Sequence, residues 1–356
     1  MSMQELEIRK RAGIEWAKNE IENRYKRYVE IPLSGIDDIG IVYLPSNDIK
    51  NQIDIINNLY NKVESYGKSD NIIIDSYHSA TIEGASTTIN RVKLAMKSGS
   101  VNKSDKMVVN SIKGMYMALS EDITINNIDK LWKLVTNEVC ENVNIQGEKF
   151  RNGMVFVGNE SRIIHTPEKP DKIEEKIRGM FRFIEKSKMN TIIKAIAVHF
   201  YFVYIHPMCD GNGRTARIIQ NYVLNKYGYT KVKYLQISKI INDNLGGYYK
   251  SLKDSEYMIK EINAIDITPF IIYMLYCIEE SMIYNIANKE MKLSEKDKIL
   301  LNKMKKHGRK AEITVRKCSE MLKESESTSR IRLNKLSDSG ILIKRRVKNK
   351  NIYILK

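Results

Sequence analysis

The sequence predicts a mainly α-helical protein with one small β-hairpin and a C-terminal winged helix-turn-helix domain. Three observations support this fold class. Only 6 prolines and 18 glycines occur in 356 residues, so few positions interrupt long helices. Apolar residues recur at helical spacing through most of the chain. One short stretch in the middle and another at the C-terminus instead show β-type patterns beside polar turns.

The chain is long enough for two domains, and its apolar content of 42% is sufficient for a buried core. We predict an N-terminal helical extension over residues 1–48, a central domain over residues 49–288 and a C-terminal domain over residues 291–356. Within the extension, residues 1–31 are predicted to be helical and residues 31–48 to form a loop-rich connection.

The first two helices of the central domain are predicted to end at glycines. Residues 49–67 have apolar positions at helical spacing and stop at Gly67, and a second helix continues to Gly84. The same periodicity predicts further helices over residues 86–97, 105–118, 126–138, 170–187, 190–205, 214–228, 238–253 and 266–288.

The stretch GMVFVGNESRIIHTP, residues 153–167, differs from its surroundings. Two β-rich runs, Met154–Val157 and Arg162–His165, flank the turn GNES. Short β-rich runs on either side of a polar turn are typical of a β-hairpin. We therefore predict one hairpin between the helical segments.

The C-terminal segment has a different pattern. It reads as helix, short polar turn and helix, followed by the β-runs ILIKR and NIYIL, which the basic sequence RVKNK joins. This order predicts a winged helix-turn-helix. Residues 291–356 contain 20 Lys and Arg against 7 Asp and Glu, so they carry +13 of the net charge of +16. A polyanionic partner, DNA in particular, is therefore expected at this segment.

Both parts of this tail contain residues suited to DNA. Phosphate contacts are predicted for the basic residues of the wing, Lys344, Arg345, Arg346, Lys348 and Lys350. The second helix, TSRIRLNKLSDSG, offers for base edges or phosphates Ser329, Arg330, Arg332 and Asn334. A lysine-rich surface that makes protein contacts is the alternative interpretation.

The four cysteines, Cys140, Cys209, Cys277 and Cys318, are widely scattered and show neither metal-ligand spacing nor a disulfide scaffold. This pattern predicts a reducing, cytoplasmic location. The N-terminus has no apolar signal core. The longest apolar stretch, residues 195–205, is too short to span a bilayer, so we predict no membrane partner.

The segment HPMCDGNGRTAR, residues 206–217, concentrates more specific chemistry than a core helix or a surface loop requires. Gly211 and Gly213, on either side of Asn212, allow the backbone to turn tightly and come close to a ligand. The next helix is predicted to begin at about Arg214. Its first N–H groups have no intrahelical partner and form a ready anion site.

Arg214 and Arg217 lie three residues apart in the first turn of that helix. Two cations at the positive end of a helix repel each other unless an anion joins them, and a polyphosphate would satisfy both. Asp210 is placed at the mouth of this site to hold a Mg²⁺ that bridges phosphates. His206 is placed to take a proton from a nucleophilic hydroxyl. These residues together predict a nucleotide-transfer site.

Other phosphate and metal motifs fit this segment less well. A Walker A loop requires Gly-Lys-Ser/Thr, which is absent. An EF-hand that starts at Asp210 fails because Arg214 and Thr215 occupy a ligand position and the glycine position. The remaining alternative is a glycine-rich helix start with incidental charges.

The same segment resembles the signature of Fic-domain proteins, which reads His-Pro-Phe, two residues, Gly-Asn-Gly-Arg, two residues, Arg, with Asp or Glu before the first glycine. Met208 replaces the phenylalanine, and a buried methionine can serve as the same apolar anchor. The related Doc kinases have lysine at the position of Gly213, so the glycine favours nucleotidyl transfer. The resemblance covers about residues 50–285.

This resemblance implies a Fic-type helical core and AMP transfer from Mg²⁺-bound ATP to a serine, threonine or tyrosine hydroxyl of a protein, for which the chain itself is a candidate. His206 would be the general base and Asp210 the metal ligand. The ATP phosphates would be held by Gly211, Asn212, Gly213, Arg214 and Arg217. Tyr248 and Tyr249 resemble a tyrosine pair that lies near the adenine in the family, and ordinary helix packing is the alternative.

The sequence SATIEG, residues 79–84, resembles the family's inhibitory motif, in which Ser or Thr is followed after three residues by Glu and then by Gly or Asn. Glu83 would supply an anion to Arg217, so the γ-phosphate would lose its partner and ATP would bind in a non-productive pose. Ser79 lies one helical turn earlier and is expected to brace the Glu83 side chain. Because this motif precedes the signature, the chain would inhibit itself. An ordinary helix end is the alternative.

The resemblance also places the hairpin, at residues 153–165, where the family has its flap. An extended target segment would pair with the edge of that flap through main-chain hydrogen bonds, and a solvated structural hairpin is the alternative. The competing function is a DNA-binding transcriptional regulator whose Fic domain senses nucleotide. Within the enzyme class, removal of AMP from a modified protein, with Glu83 orienting water, is a further option. A homodimer is left open.

Overall fold

The computed structural model describes residues 3–63, 68–98, 102–140, 143–159, 162–291, 294–306, 312–338, 341–347 and 350–355. By contacts between its residues, the chain divides into two compact units, formed by residues 1–63 with 67–283 and by residues 64–66 with 284–356.

The α-helices of the described residues dominate both units. In chain order they are α1 (Met3–Arg11), α2 (Glu15–Tyr25), α3 (Asn47–Lys62), α4 (Lys68–Ile82), α5 (Ile89–Ser98), α6 (Lys103–Ser120), α7 (Ile128–Thr136), α8 (Pro170–Lys186), α9 (Thr191–Ile205), α10 (Asn212–Lys226), α11 (Ile237–Asp243), α12 (Leu245–Ser255), α13 (Thr268–Met291), α14 (Glu295–Lys306), α15 (Val315–Leu322) and α16 (Glu326–Asp338). The fold class is therefore mainly α, as predicted.

The strands of the described residues are short. They are β1 (Val29–Ile31), β2 (Gly40–Tyr43), β3 (Val157–Asn159), β4 (Arg162–His165), β5 (Met258–Ile259), β6 (Ala264–Asp266), β7 (Glu312–Thr314), β8 (Leu342–Val347) and β9 (Lys350–Leu355). They form three small sheets, with the orders β1-β2-β6-β5, β3-β4 and β7-β9-β8.

Helices α9 and α10 form the centre of the first unit. Ile193, Ala197 and Phe200 on α9 are at most 1% exposed, and apolar residues cover all sides of this helix. A helix that is apolar all round belongs in the interior of a protein. α10 packs along α9, and α6 packs against α10. The loop over residues 206–211 is thus held between two core helices.

Local side-chain signals begin and end several helices. Asn102 and Asn190 begin α6 and α9 by accepting hydrogen bonds from backbone N–H groups two or three residues later. Each such cap stabilises its helix by about 1 kcal/mol. Gly84, with φ of 87°, follows the end of α4, as predicted. Gly67, the other predicted stop, lies outside the described residues.

The N-terminal segment differs from the predicted helical extension over residues 1–48. α1 and α2 are helical, but β1 and β2 follow them and enter the four-stranded sheet. β2 pairs in parallel with β6, and Ile41 lies opposite Ile265. Local periodicity could not reveal this strand because its partner lies near the other end of the first unit, and β-propensity depends on such neighbours.

The predicted hairpin is present, but its first strand begins at Val157 rather than at Met154. The residues just before the predicted strand bond elsewhere: Arg151 N donates to Pro207 O and Asn152 N to Ile145 O, each at 2.9 Å. This attachment to the loop after α9 keeps the start of the segment out of the hairpin ladder. The last two residues of the predicted GNES turn lie outside the described residues.

Helix α13 contains the one stretch, among the described residues, that is long and apolar enough to cross a membrane, Thr268–Ala287. Phe270, Met274 and Leu275 on this helix are fully buried within the first unit. A long helix in a protein core has the same composition as a membrane span. The absence of a membrane partner stays a prediction.

The second unit has its own apolar core. Leu300, Cys318, Leu333 and Tyr353 are fully buried there, contributed by α14, α15, α16 and β9. β8 and β9 pair in antiparallel register directly after α15 and α16. This order of two helices and a β-ribbon agrees with the tail pattern in the sequence, whereas the winged-helix assignment itself remains a prediction.

Candidate active site

The loop between α9 and α10 turns through left-handed backbone at both ends. His206 follows α9 with φ of 53° and ψ of 60°, and Gly211 precedes α10 with φ of 74°. Glycine adopts this conformation readily, whereas for a histidine it is uncommon. A Cβ at Gly211 would also lie 2.6 Å from Thr136 Cγ2. The close approach of α7 therefore requires glycine at this position.

The side chain of Asn212 is used within the loop. Its Oδ1 accepts a hydrogen bond from Met208 N at 2.9 Å, and its Nδ2 donates to Met208 O at 2.8 Å. The predicted phosphate role of Asn212 therefore falls to its main-chain N–H at the start of α10 and not to its amide side chain. Met208 is fully buried, which matches the apolar anchor predicted for it.

Gly213 leaves the space that the Glu83 carboxylate occupies. A Cβ at Gly213 would lie 2.1 Å from Glu83 Oε1 and 3.2 Å from Arg217 Nη1. Any side chain at this position would displace Glu83. The glycine is thus required by the contact between the two motifs as well as by the helix start.

Arg217 joins the two motifs that the sequence analysis singled out. Its Nη2 donates to Glu83 Oε1 at 2.8 Å and to Ser79 O at 2.8 Å, and its Nε donates to Ser79 Oγ at 2.8 Å. The predicted pairing of Glu83 with Arg217 is present in this structure. The expected role of Ser79 is corrected: its hydroxyl binds Arg217 directly instead of bracing Glu83, because the guanidinium lies between the two side chains.

One atom of the Arg217 guanidinium stays without a partner. Nη1 is buried and has no hydrogen-bond partner among the described residues. The Arg217 side chain is 3% exposed, whereas that of Glu83 is 32% exposed. Burial alone would lower the pKa of Arg217, but the nearby Glu83 carboxylate raises it above its ordinary value. A buried, charged guanidinium whose Nη1 has no acceptor is suited to bind a further anion.

Helix α4, which ends beside Glu83, is attached to the segment that begins α11. Asp75 accepts hydrogen bonds from Ser238 N at 2.7 Å and from Ser238 Oγ at 3.0 Å. Gln236 Nε2 donates to Asn71 Oδ1 at 2.8 Å. Burial raises the pKa of Asp75 to about 6. These contacts hold the helix that presents Glu83, and no motif in the sequence indicated them.

Arg214 points away from Arg217. It is 1% exposed, its Nη1 donates to Val135 O at 3.2 Å, and its Nη2 lies 3.4 Å from Asp210 Oδ1. The two arginines predicted to share one polyphosphate therefore have separate partners in this structure. Arg214 attaches the loop to the end of α7 through Val135 O. Of its contacts, the one with Asp210 lies at the mouth of the site.

Asp210 lies at that mouth with its side chain 32% exposed. Its main-chain O accepts a hydrogen bond from Trp132 Nε1 at 2.9 Å, which fixes the backbone at this point. Among the described residues, no group of three or more His, Cys, Asp and Glu side chains could hold a metal ion. A single carboxylate fits a Mg²⁺ that is bound jointly with phosphates, which is how proteins commonly hold this ion.

The His206 imidazole is neutral at pH 7. Its Nδ1 lies 3.2 Å from Val203 O, so Nδ1–H donates there and Nε2 is left as the basic nitrogen. Burial, with smaller contributions from His165 and Arg151, lowers the pKa of His206 to about 4, although the hydrogen bond to Val203 O and the Glu83 carboxylate act in the opposite direction. A neutral imidazole with a free Nε2 can accept a proton.

The predicted tyrosine pair divides into a buried and an exposed member. Tyr248 is 2% exposed, and its hydroxyl lies 3.0 Å from Nε2 of the buried His199. Tyr249 is 51% exposed, and its ring centroid is 5.5 Å from that of Tyr248. Tyr248 thus belongs to the core beneath the site, and Tyr249 is the member that remains accessible to a ligand.

Arg151 was not recognised in the sequence. Its guanidinium is buried and bonds to main-chain carbonyls on both sides of the hairpin and at His206. Nothing in the neighbouring residues distinguishes it from an ordinary surface arginine. Its partners lie in separate segments, so only the folded chain shows that they meet.

The segment of the chain that contains this site is similar to known proteins. Residues 122–224 match the Fic/DOC family. The protein adenylyltransferase Fic of Drosophila melanogaster and that of Drosophila yakuba are each 27% identical to this chain in an alignment of 219 residues, and the match covers 58% of this chain and 40% of each relative. The chain therefore spans about two fifths of the length of these curated relatives.

Solved structures show the same fold. A Fic family protein from Desulfovibrio desulfuricans G20 superimposes with a TM-score of 0.60 at 17% identity, covering 88% of this chain and 97% of that chain. Fic-1 from C. elegans gives a TM-score of 0.52 at 18% identity, covering 68% of this chain and 73% of that one. The segment that matches the Fic/DOC family, residues 122–224, contains α9, the loop after it and all but the last two residues of α10.

Proposed function

We propose that this protein transfers AMP from Mg²⁺-bound ATP to a hydroxyl group of a protein, and that Glu83 inhibits the transfer by pairing with Arg217. The observation that supports this proposal best is the arrangement around Arg217. A buried guanidinium in the first two turns of α10 is held by Ser79 and Glu83, and its Nη1 has no hydrogen-bond partner among the described residues. Beside a neutral His206, this is a phosphate site in which an internal carboxylate occupies part of the anion's place.

In the transfer step, the hydroxyl oxygen of the target attacks the α-phosphorus of ATP while Nε2 of His206 takes the hydroxyl proton. The bond between the α-phosphorus and the oxygen that bridges to the β-phosphate breaks. Pyrophosphate leaves, and AMP remains as an ester on the target. The main-chain N–H groups that begin α10 and the Arg217 guanidinium compensate the negative charge of the phosphates.

Inhibition follows from competition for one cation. While Glu83 Oε1 occupies Arg217 Nη2, a γ-phosphate cannot take the same donor. The nucleotide can still reach the helix start, but in a pose that does not align the α-phosphorus with the target hydroxyl. Release of Glu83 would therefore increase the rate more than it increases ATP affinity.

Mg²⁺ would be held by Asp210 together with the nucleotide. The partly exposed carboxylate of Asp210 is suited to an ion that arrives with ATP and shares its ligands with the phosphates. When bound, the ion neutralises phosphate charge and orients the leaving pyrophosphate. The residues of this chain supply the base, the guanidinium and the backbone donors.

The hairpin β3–β4 is proposed to hold the target. Phe156, Ile163 and Ile164 on and beside it are 59%, 57% and 60% exposed. Exposed apolar side chains next to free strand edges suit an extended protein segment that pairs through its main chain. Such pairing places a hydroxyl by backbone geometry, so it tolerates many target sequences.

Intact mass spectrometry after incubation with ATP tests this function. The wild type, Glu83→Gly and His206→Ala should be compared with and without Mg²⁺, alone and with cell lysate. We expect addition of one AMP to a protein, fastest with Glu83→Gly and dependent on Mg²⁺. No AMP on any protein with Glu83→Gly would overturn the proposal.

The low pKa of His206 predicts an unusual pH dependence. The base must be unprotonated, so a pKa lowered to about 4 keeps it active as the pH falls. In the Glu83→Gly variant, kcat/KM should therefore stay nearly constant from pH 7 to pH 5. A histidine with the ordinary pKa of about 6.5 would lose roughly 20-fold over the same interval, and that loss would contradict the buried environment of His206.

Removal of AMP is a second activity that the same site supports. Glu83 is partly exposed beside the start of α10, where its free carboxylate oxygen could orient a water molecule. The water oxygen would attack the phosphorus while Glu83 takes a proton from the water, and the bond between the phosphorus and the target oxygen would break. AMP would leave, and the target oxygen would take its proton from solvent, since Nε2 of His206 carries none at pH 7. Incubation of an AMP-modified protein with the wild type and with Glu83→Gly separates the two activities, because only removal requires the carboxylate.

We also propose a cytoplasmic location, which the cysteines support. Cys140 and Cys209 are free thiols whose Sγ atoms lie 3.1 Å apart, and Cys209 belongs to the motif loop. A reducing compartment keeps such neighbouring thiols unpaired.

DNA binding by the second unit is a separate proposal, and the structure corrects which residues could carry it. Arg332 donates to both oxygens of Glu324 and to Asp297, and it holds the pKa of Glu324 at about 2. Ser329 is fully buried and donates to Glu324. Arg332 and Ser329 therefore stabilise the unit and are not available to read bases. Their helical spacing alone did not show which side of α16 is buried.

The exposed basic residues support phosphate contact better than base readout. Asn334 accepts hydrogen bonds from Tyr353 and Lys344, so it too is engaged within the unit. Arg330, Arg345 and Arg346 are exposed. Two predicted wing contacts involve side chains outside the described residues, Lys348 and Lys350.

Replacing Arg345 and Arg346 by glutamine in the full chain should weaken DNA binding uniformly across sequences. Each lost phosphate contact lowers the slope of log affinity against log salt by about 1. Fluorescence anisotropy with labelled duplexes at several salt concentrations measures both quantities. Arg316→Gln, which removes an exposed arginine paired with Glu320 on α15, is the matched control. Absence of DNA affinity at low salt would remove this proposal.

A further inference from the structure

A single buried guanidinium connects the proposed base to both ends of the flap. Arg151 is 1% exposed, and its Nε donates to His206 O at 2.8 Å. Its Nη1 donates to Gly153 O at 2.8 Å, and its Nη2 donates to Glu168 O. Gly153 precedes β3 and Glu168 follows β4, so the Arg151 side chain binds the chain just before and just after the hairpin.

The main chain of Arg151 adds a further bond to the same loop. Its N–H donates to Pro207 O at 2.9 Å, so the carbonyls of His206 and Pro207 are both held by one residue. His206 needs this support because its left-handed backbone is unfavourable for a residue with a side chain. Fixing the carbonyl on one side of the Cα also fixes the direction in which the imidazole leaves the backbone.

The acceptors are carbonyl groups, which distinguishes this arginine from one that neutralises a carboxylate. A planar guanidinium offers donors in fixed directions, and here three of them are directed at three separate segments. Burial lowers the pKa of Arg151, and the Glu168 carboxylate partly offsets that effect. Burying this cation costs desolvation free energy, and its bonds to main-chain carbonyls fix the relative positions of the segments that it contacts.

We propose that Arg151 is a positioning residue, which holds His206 and the two ends of the flap at a fixed distance so that a hydroxyl presented by the flap meets the base. This inference rests on the proposed AMP transfer. The bond from Arg151 to His206 O orients the imidazole in the free protein, so this contact holds His206 whether or not transfer occurs.

Arg151→Lys tests the geometry while keeping the charge. An ammonium group cannot reach three carbonyls in fixed directions, so the flap and His206 lose their common anchor. In the Glu83→Gly background, we expect AMP addition to the chain itself and to lysate proteins to fall about 10- to 100-fold, since a displacement of about 1 Å can cost 10²-fold. The Kd for Mg²⁺-bound ATP should change less than twofold, because the hydrogen bonds of the Arg151 side chain go to His206, Gly153 and Glu168 and not to α10.

Chemical rescue separates positioning from a merely structural role. Arg151→Ala leaves a guanidinium-sized space, so millimolar guanidinium ion should restore part of the rate without changing the unfolding temperature. The proposal would be overturned if guanidinium ion restored no activity, ATP binding were lost in parallel, and the rate fell only in proportion to the folded fraction of the protein. Arg178→Lys, an exposed arginine of α8 paired with Glu174, is the matched control and should leave all quantities unchanged.

Histidine NMR gives a readout that does not need activity. The chain has 5 histidines, so the His206 signal can be assigned by comparison with a variant at that position. Arg151→Met removes one positive charge next to His206, which His165 and Glu83 also face, so the pKa of His206 should rise. With Arg151→Lys the pKa should stay low while the chemical shift moves.

The two proposals fail in different ways. If Glu83→Gly never transfers AMP but Arg151 variants still move the His206 signal, the proposed function is wrong and the positioning contact stands. If transfer occurs and neither the rate nor the His206 signal responds to Arg151→Lys and Arg151→Met, the positioning role is overturned.

Discussion

Replacing His206 by alanine is expected to lower the rate of AMP transfer by about 10²–10⁴-fold, the range typical for loss of a general base. The physical reason is specific to this site: the imidazole is neutral at pH 7, and its Nδ1 is engaged by Val203 O, which leaves Nε2 for the target hydroxyl. The rate should be measured in the Glu83→Gly background, where transfer is not inhibited, by intact mass spectrometry over time.

The left-handed backbone of His206 complicates this experiment, and a second variant resolves it. Alanine is strained at φ of 53°, whereas asparagine tolerates this conformation well. His206→Asn should therefore keep the loop and still lack a base. Equal losses for both variants, with ATP binding intact, assign the effect to proton transfer. Near-normal transfer by His206→Asn would show that His206 is not the base.

Replacing Glu83 by glycine is expected to increase AMP transfer by roughly 30- to 150-fold, which corresponds to the loss of a partly buried charge pair worth about 2–3 kcal/mol. The Glu83 side chain is partly exposed and holds Arg217 Nη2 at 2.8 Å, so its removal frees that donor for a γ-phosphate. ATP affinity should change little, because the start of α10 remains. Initial rates of self-modification and of lysate modification measure the gain.

Two controls decide whether the gain comes from Arg217. Glu83→Gln keeps the size of the side chain and removes its charge, so it should activate less than glycine. The double variant Glu83→Gly, Arg217→Ala should lose the gain, because the freed guanidinium is then absent. A well-folded Glu83→Gly variant with unchanged activity would reduce Glu83 to a helix-end residue.

Stability should respond differently from activity in these variants. Glu83 follows the last residue of α4, so glycine there removes little helical structure. Arg217→Ala alone, by contrast, leaves Ser79 and the partly exposed Glu83 without their donor in a buried place, which commonly costs several kcal/mol. Thermal unfolding of each variant therefore has to accompany every rate.

Most of the site residues could be predicted from the sequence because they are neighbours along the chain. His206, Asp210, Gly213 and Arg217 lie within one loop and the helix start that follows it, and the left-handed Gly211 could be anticipated from residue type alone. Helical periodicity likewise predicted α9 and α10. Interactions within a few residues depend on local backbone geometry, which residue type and spacing express directly.

Pairs of distant segments were only partly predictable. The contact of Glu83 with Arg217 was expected from a resemblance between motifs, but the direct bonds from Arg217 to Ser79 were not. The parallel pairing of β2 with β6 was missed because each strand is too short to show a period of its own. The burial of Ser329 could not be inferred because the apolar and polar residues of α16 are not separated onto opposite faces of the helix.

Residue types and their spacing were enough to predict the fold class, the helix that carries the motif, and the kinds of groups at the site: a base, a carboxylate, glycines and guanidinium groups. Tertiary packing determines which acceptor each arginine reaches. It directed Arg214 to the end of α7, Arg217 to α4, and Arg151 to the backbone of His206 and the flap. This is because a buried guanidinium forms hydrogen bonds with the acceptors that long-range packing brings within its reach, and residue type and spacing do not reveal those acceptors.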